Sequence, residues 1–154
     1  MFPRVSHALP ADSVLVQPAW GDLDETIRQL VARLVTAGRV PAELATEAVR
    51  LIQEREAVAS TAMVDIGVSI PHARLDGVSG IVAAMAVSPQ AVYEAGNRLP
   101  ISIVVLVLSS PALAGDYLNF LASLSMLLQS ARFRQRLRNA ATPQEVENLI
   151  RANE

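Results

Sequence analysis

The apolar run Ile101-Ser102-Ile103-Val104-Val105-Leu106-Val107-Leu108 decides the fold. It is rich in Val and Ile, as strands are, and apart from Ser102 it is apolar at odd and even positions alike. Both faces of this strand are therefore predicted to be buried, which is typical of a central strand covered by helices on each side. The run indicates an α/β domain.

Shorter strands and helices extend outward from this run. Residues 64–70 and 81–87 are short, rich in Val and Ile, and bounded by Gly, Pro or Ser, so both are predicted to be strands. Residues 13–17 are predicted to form a short first strand. The predicted helices occupy residues 23–37, 41–55, 117–129 and 143–151, and residues 131–138 form either a short basic helix or a continuation of the helix before them.

Several of these helices have clear end signals. Asp22 and Glu25 form a capping-box pattern, and Gly38 follows the same helix at its end. Pro41 suits the first turn of the second helix, and Thr142-Pro143-Gln144-Glu145 is a good start for the last one.

The order of elements predicts the architecture. One strand, two helices, three strands and a final set of helices give a three-layer α/β domain. No linker or repeat divides the 154 residues, so residues 13–154 are predicted to form a single domain, with residues 1–12 as a loose N-terminal arm.

Composition excludes several classes of function. The chain is 51% hydrophobic and has a net charge of −2, so it lacks the basic field that nucleic acid or an anionic membrane requires. It has no cysteine, which removes disulfides and thiolate metal sites. The longest apolar run is too short to span a bilayer, and the first residues do not resemble a signal peptide. We expect a soluble, cytoplasmic protein that is not inserted in a membrane.

The chain has two histidines. His7 lies in the predicted arm and is expected to be exposed. His72 directly follows Pro71, which lacks an N–H group and should end the strand, so His72 is predicted at the strand end with a ring that solvent can reach. From the local pattern alone, a structural role for His72 is at least as plausible as a reactive one. A single such histidine without clustered partners does not make a metal site, and a His-based hydrolase lacks a nucleophile and acid.

Two segments nearby form a longer motif. Arg55-Glu56 is followed by Ser60-Thr61 and then by Gly67-Val68-Ser69-Ile70-Pro71-His72-Ala73-Arg74. Together with the order of elements, over roughly residues 13 to 151, this motif resembles the fructose–mannitol class of enzyme IIA domains of bacterial sugar phosphotransferase systems, which includes the nitrogen-regulatory type.

The resemblance implies the family's fold, a three-layer α/β/α sandwich around a small mixed sheet, and it also implies a function. His72 would accept a phosphoryl group from the histidine phosphocarrier protein and pass it to an enzyme IIB, a phosphotransferase activity that needs no cofactor or metal. Neutral imidazole is nucleophilic near pH 7, and the phosphoryl charge requires nearby donors.

The resemblance also suggests the donors. Arg55 occupies the position of the family's phosphate clamp, although an exposed Arg that ends the second helix is an alternative. Ser60 and Thr61 either orient the ring or bind phosphate, or else they cap a turn. Arg74 is a secondary candidate for phosphate binding or partner docking.

One position departs from the family. The late helix usually has a second histidine, and here Asp116-Tyr117-Leu118 takes that place. If the register is kept, Asp116 caps the helix, Leu118, Leu121, Leu124 and Leu128 face the sheet, and the Tyr117 hydroxyl points toward His72. The substitution leaves a second hypothesis open, in which the domain is a non-catalytic module that binds a regulated partner and has lost or altered its phosphotransfer.

Overall fold

The computed structural model describes residues 4–154. The α-helices are α1 (Val5–Ala8), α2 (Leu23–Thr36), α3 (Ala45–Val58), α4 (Ala114–Leu128), α5 (Ala131–Arg138) and α6 (Pro143–Asn153). The strands are β1 (Val14–Val16), β2 (Ala62–Met63), β3 (Val68–Ser69), β4 (His72–Arg74), β5 (Ile81–Val87), β6 (Tyr93–Ala95), β7 (Leu99–Ile101) and β8 (Ile103–Ser109). No helix within residues 4–154 is both long enough and apolar enough to cross a membrane.

The main sheet is mixed and has β8 at its centre. Its order is β1-β5-β8-β3-β2, and β4 also pairs with β8. Strands β3 and β4 run parallel to β8, whereas β5 runs antiparallel to it. Every residue of β8 is buried. The predicted central strand is confirmed, two residues later than its pattern suggested, because Ser102 separates β8 from β7.

Two hydrophobic clusters cover the two faces of this sheet. Alternate residues of β8 point to opposite faces, so Ile103, Val105 and Val107 join one cluster. That cluster also contains buried residues of α1, α4, α5 and α6. The other cluster contains the remaining apolar residues of β8 and the buried residues of α2 and α3. The three-layer α/β/α sandwich is therefore confirmed.

The prediction of one strand over residues 64–70 was wrong. The structure has a hairpin, in which β2 and β3 are antiparallel and the residues between them form a turn. Val64 and Asp65 are exposed in that turn, and Gly67 has a φ of +68° that suits glycine. The apolar residues of this segment suggested continuity, but a turn with a left-handed residue breaks it.

The pairing does not end at Pro71 as predicted. It is interrupted at Ile70 and Pro71 and resumes at His72, which is in register with Val107 of β8. The Pro71 carbonyl accepts a hydrogen bond of 3.0 Å from the Val107 N–H group. Pro71 lacks only the donor, and its carbonyl stays in the ladder. His72 therefore begins a strand instead of following the end of one.

Residues 4–12 are not a loose arm. Val5, Ala8 and Leu9 are buried in the same cluster as α4 and α6, and the Ser6 side chain donates a hydrogen bond to the Glu154 carboxylate. The Ala11 N–H group donates to Glu147 at 2.8 Å. The prolines suggested a tail. The apolar residues between them instead belong to a short helix and its end, and their side chains are buried. The expectation for residues 1–3 lies outside the described residues.

The register of α4 also differs from the prediction. Its buried face consists of Tyr117, Phe120, Leu124 and Leu128, with Leu121 partly buried, whereas Leu118 is 66% exposed. Asp116 is not the N-cap, because α4 already begins at Ala114 after a single 3-10 turn over Pro111–Leu113. The helix turns its two aromatic rings inward, which bury more apolar surface than Leu118 would.

Three other predicted helix signals agree with the structure, whereas the start predicted at Pro41 does not. The Asp22 side chain accepts a hydrogen bond from the Glu25 N–H group at 2.8 Å, and Thr142 caps α6 in the same way. Gly38 has a φ of +76° at the end of α2. Pro41 precedes a 3-10 turn, so α3 starts at Ala45, later than predicted.

The hairpin of β6 and β7 was not predicted, since exposed residues occupy most of it.

Candidate functional site

His72 is held in a defined orientation at the start of β4. Its Nδ1 lies 2.7 Å from the carbonyl oxygen of Ile70. A carbonyl can only accept a hydrogen bond, so Nδ1 carries the proton and Nε2 has the free lone pair in the neutral ring. The side chain is half-buried, and it lines an open groove of about 610 Å³. The ring can therefore act as a nucleophile through Nε2.

The surroundings of His72 favour its neutral form. Burial lowers the pKa of His72 from its ordinary value of 6.5, and the positive charge of Arg55 lowers it further. The hydrogen bond to the Ile70 carbonyl and the charge of Glu56 act in the opposite direction but do not prevail. At neutral pH the ring is therefore mainly uncharged, as a nucleophile must be.

The groove brings His72 together with residues from the end of α3. Arg55 is exposed in the last turn of that helix, and Arg55, Ser60 and Thr61 line the same groove as His72. Arg55 is also one of the two positive charges that act on Tyr117. The groove therefore has a guanidinium, a type of group that binds phosphate oxygens.

The Ser-Thr pair is tied into the loop after α3. Thr61 donates its N–H group to the Glu56 carboxylate at 2.9 Å, and its hydroxyl donates to the same carboxylate. Ser60 accepts a hydrogen bond from the Ala62 N–H group at 3.1 Å. Sequence reasoning assigned no role to Glu56, although it belongs to the Arg-Glu step of the motif. Its carboxylate fixes Thr61 beside the groove.

Tyr117 lies against His72 from the first turns of α4. The two ring centroids are 5.8 Å apart, and the rings meet edge to face at 62°. The tyrosine is only 4% exposed, and its hydroxyl has no hydrogen-bond partner among residues 4–154. Burial raises the pKa of Tyr117 to about 12, against the effect of Arg55 and Arg74. The hydroxyl is therefore neutral and keeps its proton.

Arg74 is exposed at the far end of β4. Because side chains alternate along a strand, it points to the same side as His72 and away from the buried Ala73. Its charge acts on Tyr117. The charges of Arg55 and Arg74 thus both act on Tyr117, and that of Arg55 also acts on His72.

The basic cluster after α4 is separate from this groove. Arg132 and Arg136 are exposed on α5, whereas Arg134 donates hydrogen bonds to the carbonyls of Leu128 and Gln129 at the end of α4. Among the described residues no group of three His, Asp or Glu side chains is placed to hold a metal ion.

The sequence of the chain matches a known protein family. Residues 8–153 match the family model described as "Phosphoenolpyruvate-dependent sugar phosphotransferase system, EIIA 2". The chain belongs to this EIIA family. The fold, and the resemblance from which it was predicted, are both confirmed.

Individual relatives span nearly the whole chain. The fructose-specific EIIA component of the phosphotransferase system of Haloferax volcanii is 29% identical over 95% of this chain and 94% of its own length. The nitrogen regulatory protein IIA-Ntr of Neisseria meningitidis has a similar structure, with a TM-score of 0.80 and 20% identity over 95% of this chain and 98% of its own. Enzyme IIAMTL of Escherichia coli, solved as a complex with phosphorylated enzyme IIBMTL, gives a TM-score of 0.74 with 19% identity over 94% and 97%.

The depressed pKa of His72 in this EIIA chain leads to a prediction. In an NMR titration the His72 ring should protonate with a midpoint below 6.5, because burial and Arg55 disfavour its charged form. The unfolded chain then binds this proton at a higher pH than the folded chain does. The free energy of unfolding should therefore decrease as the pH falls from about 6.5 through the midpoint of the folded protein. A midpoint at or above 6.5 would contradict the prediction.

Proposed function

We propose that this EIIA domain is a cytoplasmic phosphoryl carrier, which accepts a phosphoryl group on His72 from the histidine phosphocarrier protein and passes it to an enzyme IIB. The observation that carries the proposal is the Nδ1 contact with the Ile70 carbonyl at 2.7 Å, since it leaves Nε2 as the nucleophile of a fixed ring. Membership in the EIIA family supports the reaction, and the complex of enzyme IIAMTL with phosphorylated IIBMTL supports the kind of partner.

The transfer conserves atoms and electrons without a cofactor. The Nε2 lone pair forms the new N–P bond while the P–N bond to the donor histidine breaks, and that electron pair returns to the donor's ring nitrogen. The His72 ring becomes an N-phosphorylated imidazolium, whose Nδ1 proton stays hydrogen-bonded to the Ile70 carbonyl. This bond stabilises the positive ring. In the onward transfer a nucleophile of the second protein forms a bond to phosphorus, the P–N bond to Nε2 breaks, and its electron pair returns to Nε2, so that His72 leaves as neutral imidazole.

The groove supplies charge stabilisation during this step. We assign Arg55 as the clamp on the phosphoryl oxygens, because it lines the groove with His72 and its charge acts on the ring. Ser60 and Thr61 are assigned to the same wall as donors or positioning groups. Arg74, exposed beside the pair of rings, is assigned to the approach of an acidic or phosphorylated partner.

Intact mass spectrometry tests the proposal. The protein is incubated with phosphoenolpyruvate, enzyme I and the histidine phosphocarrier protein, and a parallel sample omits the phosphocarrier. We expect a gain of one phosphoryl group only in the complete mixture, and its loss after addition of an enzyme IIB. A complete mixture that leaves the mass unchanged, with a known EIIA protein labelled under the same conditions, would contradict the proposal.

A second candidate function rests on Tyr117. The family's second histidine is replaced by a group that is neutral at pH 7, since burial raises its pKa to about 12. A non-catalytic domain that binds a regulated partner is compatible with this change. In that case the wild-type mass stays constant in the complete mixture, whereas Tyr117→His gains a phosphoryl group.

Replacing Arg55 tests the clamp. Arg55→Ala should slow phosphorylation of His72 by roughly 10- to 100-fold, because hydrogen bonds to a charged group contribute about 1.5–3 kcal/mol. The initial rate of mass gain measures this effect. Arg50→Ala is the matched control, since Arg50 lies on the same helix but pairs with Glu47 and Glu54 and lines a different groove. Equal rates for the two variants would remove Arg55 from the mechanism.

A further inference from the structure

The Tyr117 hydroxyl is the least satisfied polar group of the site. It is buried, and no atom of residues 4–154 accepts a hydrogen bond from it. A buried hydroxyl without a partner destabilises the folded state, and such groups are uncommon in native structures. Phenylalanine would fill the same space without this penalty. The hydroxyl therefore requires an explanation beyond packing.

The Tyr117 ring also lies beside the one ring that we propose to be phosphorylated. The His72 and Tyr117 centroids are 5.8 Å apart, in direct edge-to-face contact. A phosphoryl group on Nε2 adds three strong acceptor oxygens. The positive charges of Arg55 and Arg74, which both act on Tyr117, favour an anion at the same place.

We propose that the Tyr117 hydroxyl is a donor reserved for the phosphorylated state, unpaired while His72 is free and hydrogen-bonded to the phosphoryl group once His72 carries it. The hydroxyl thereby couples phosphorylation to the stability of the fold. The free state retains the penalty of the buried hydroxyl, and the phosphorylated state does not. The inference rests on the proposed function only for the presence of a phosphoryl group on His72.

Tyr117 distinguishes this chain from family members that have a second histidine at this position. A second imidazole changes its charge within the physiological pH range, whereas a phenol with a pKa of about 12 does not. The phosphorylated state is thus stabilised by a donor whose strength does not depend on pH.

The test compares thermal stability with and without a phosphoryl group. The chain is loaded with potassium phosphoramidate, a small chemical donor, in a His7→Gln background so that only His72 reacts. The Nε2 lone pair forms the N–P bond, the P–N bond of the reagent breaks, and ammonia leaves. Melting temperatures are measured for both states of the wild type, of Tyr117→Phe and of Tyr93→Phe. Tyr93 is the matched control, because it is the chain's other tyrosine and is buried in the opposite cluster.

We expect phosphorylation to raise the melting temperature more in the wild type than in Tyr117→Phe, by about 3–8 °C, as one hydrogen bond to a charged group implies for this chain length. Unphosphorylated Tyr117→Phe should be at least as stable as the wild type. The ³¹P resonance should also differ between the wild type and Tyr117→Phe, which a purely structural role of Tyr117 would not cause. Tyr93→Phe should match the wild type in both the temperature increment and the ³¹P shift.

Equal temperature increments and equal ³¹P shifts in the wild type and Tyr117→Phe would overturn the inference. A wild-type chain that phosphoramidate cannot load would overturn it as well, because the hydroxyl would have no phosphoryl group to meet. Loading by phosphoramidate but not by the histidine phosphocarrier protein would refute the proposed function alone, and the inference would still be decided by the melting temperatures.

Discussion

Glutamine in place of His72 should abolish phosphorylation of this chain by the histidine phosphocarrier protein. Glutamine keeps a polar side chain of similar reach, but its amide nitrogen has no lone pair that can attack phosphorus. Intact mass spectrometry after incubation with the complete donor mixture measures the result. We expect no added phosphoryl mass in His72→Gln at any time at which the wild type is fully labelled.

The second histidine provides the control. His7 is exposed on α1, and it is the only other imidazole in the chain. His7→Gln should therefore be labelled at the wild-type rate. Labelling of His72→Gln, or loss of labelling in His7→Gln, would mean that the phosphoryl acceptor lies outside the groove. Circular dichroism of both variants separates a loss of chemistry from a loss of folding.

Replacing Phe120 with alanine should destabilise the fold by about 3–5 kcal/mol, the usual result of truncating a buried aromatic ring. Phe120 is fully buried on α4, in the cluster that covers the His72 face of the sheet. The cavity left behind lies on the same helix face as Tyr117, which α4 holds beside His72. Urea unfolding monitored by circular dichroism gives the free energy of unfolding.

Leu118→Ala is the matched control for the register of α4. Leu118 is two positions away from Phe120 but 66% exposed, so its truncation should change the free energy of unfolding by no more than about 0.5 kcal/mol. Comparable losses in the two variants would mean that α4 packs with the leucine face inward, as its leucine spacing predicted.

The leucine pattern predicted helix α4 itself correctly, but it predicted its buried face only in part. Leucine spacing predicted a helix with Leu124 and Leu128 inward, and both are buried. The same spacing placed Leu118 inward, because periodicity weighs residues by type and not by the area each one buries. The aromatic rings of Tyr117 and Phe120 bury more surface and determine the register. Tyr117 was nevertheless predicted beside His72, since the resemblance supplied its position where periodicity did not.

The site itself was only partly accessible to sequence reasoning. The motif around Pro71 and His72 is local, so the resemblance suggested it directly, and the groove that His72 lines also contains Arg55. The contact between Nδ1 and the Ile70 carbonyl was not predictable, because a backbone carbonyl has no signature in the sequence. The role of Glu56 in holding Thr61 depends on a loop geometry that composition does not determine.

The hydrogen bond from Val107 to Pro71 has a consequence for how the chain opens and closes over time. Val107 lies on the central strand, buried on both faces, and its amide proton is engaged by the residue just before His72. An amide in such a strand exchanges with deuterium only when most of the protein unfolds. The exchange rate at Val107 should therefore report global opening, measured at the residue that pairs with His72. If a phosphoryl group on His72 stabilises the fold, this single amide should exchange more slowly in the labelled protein.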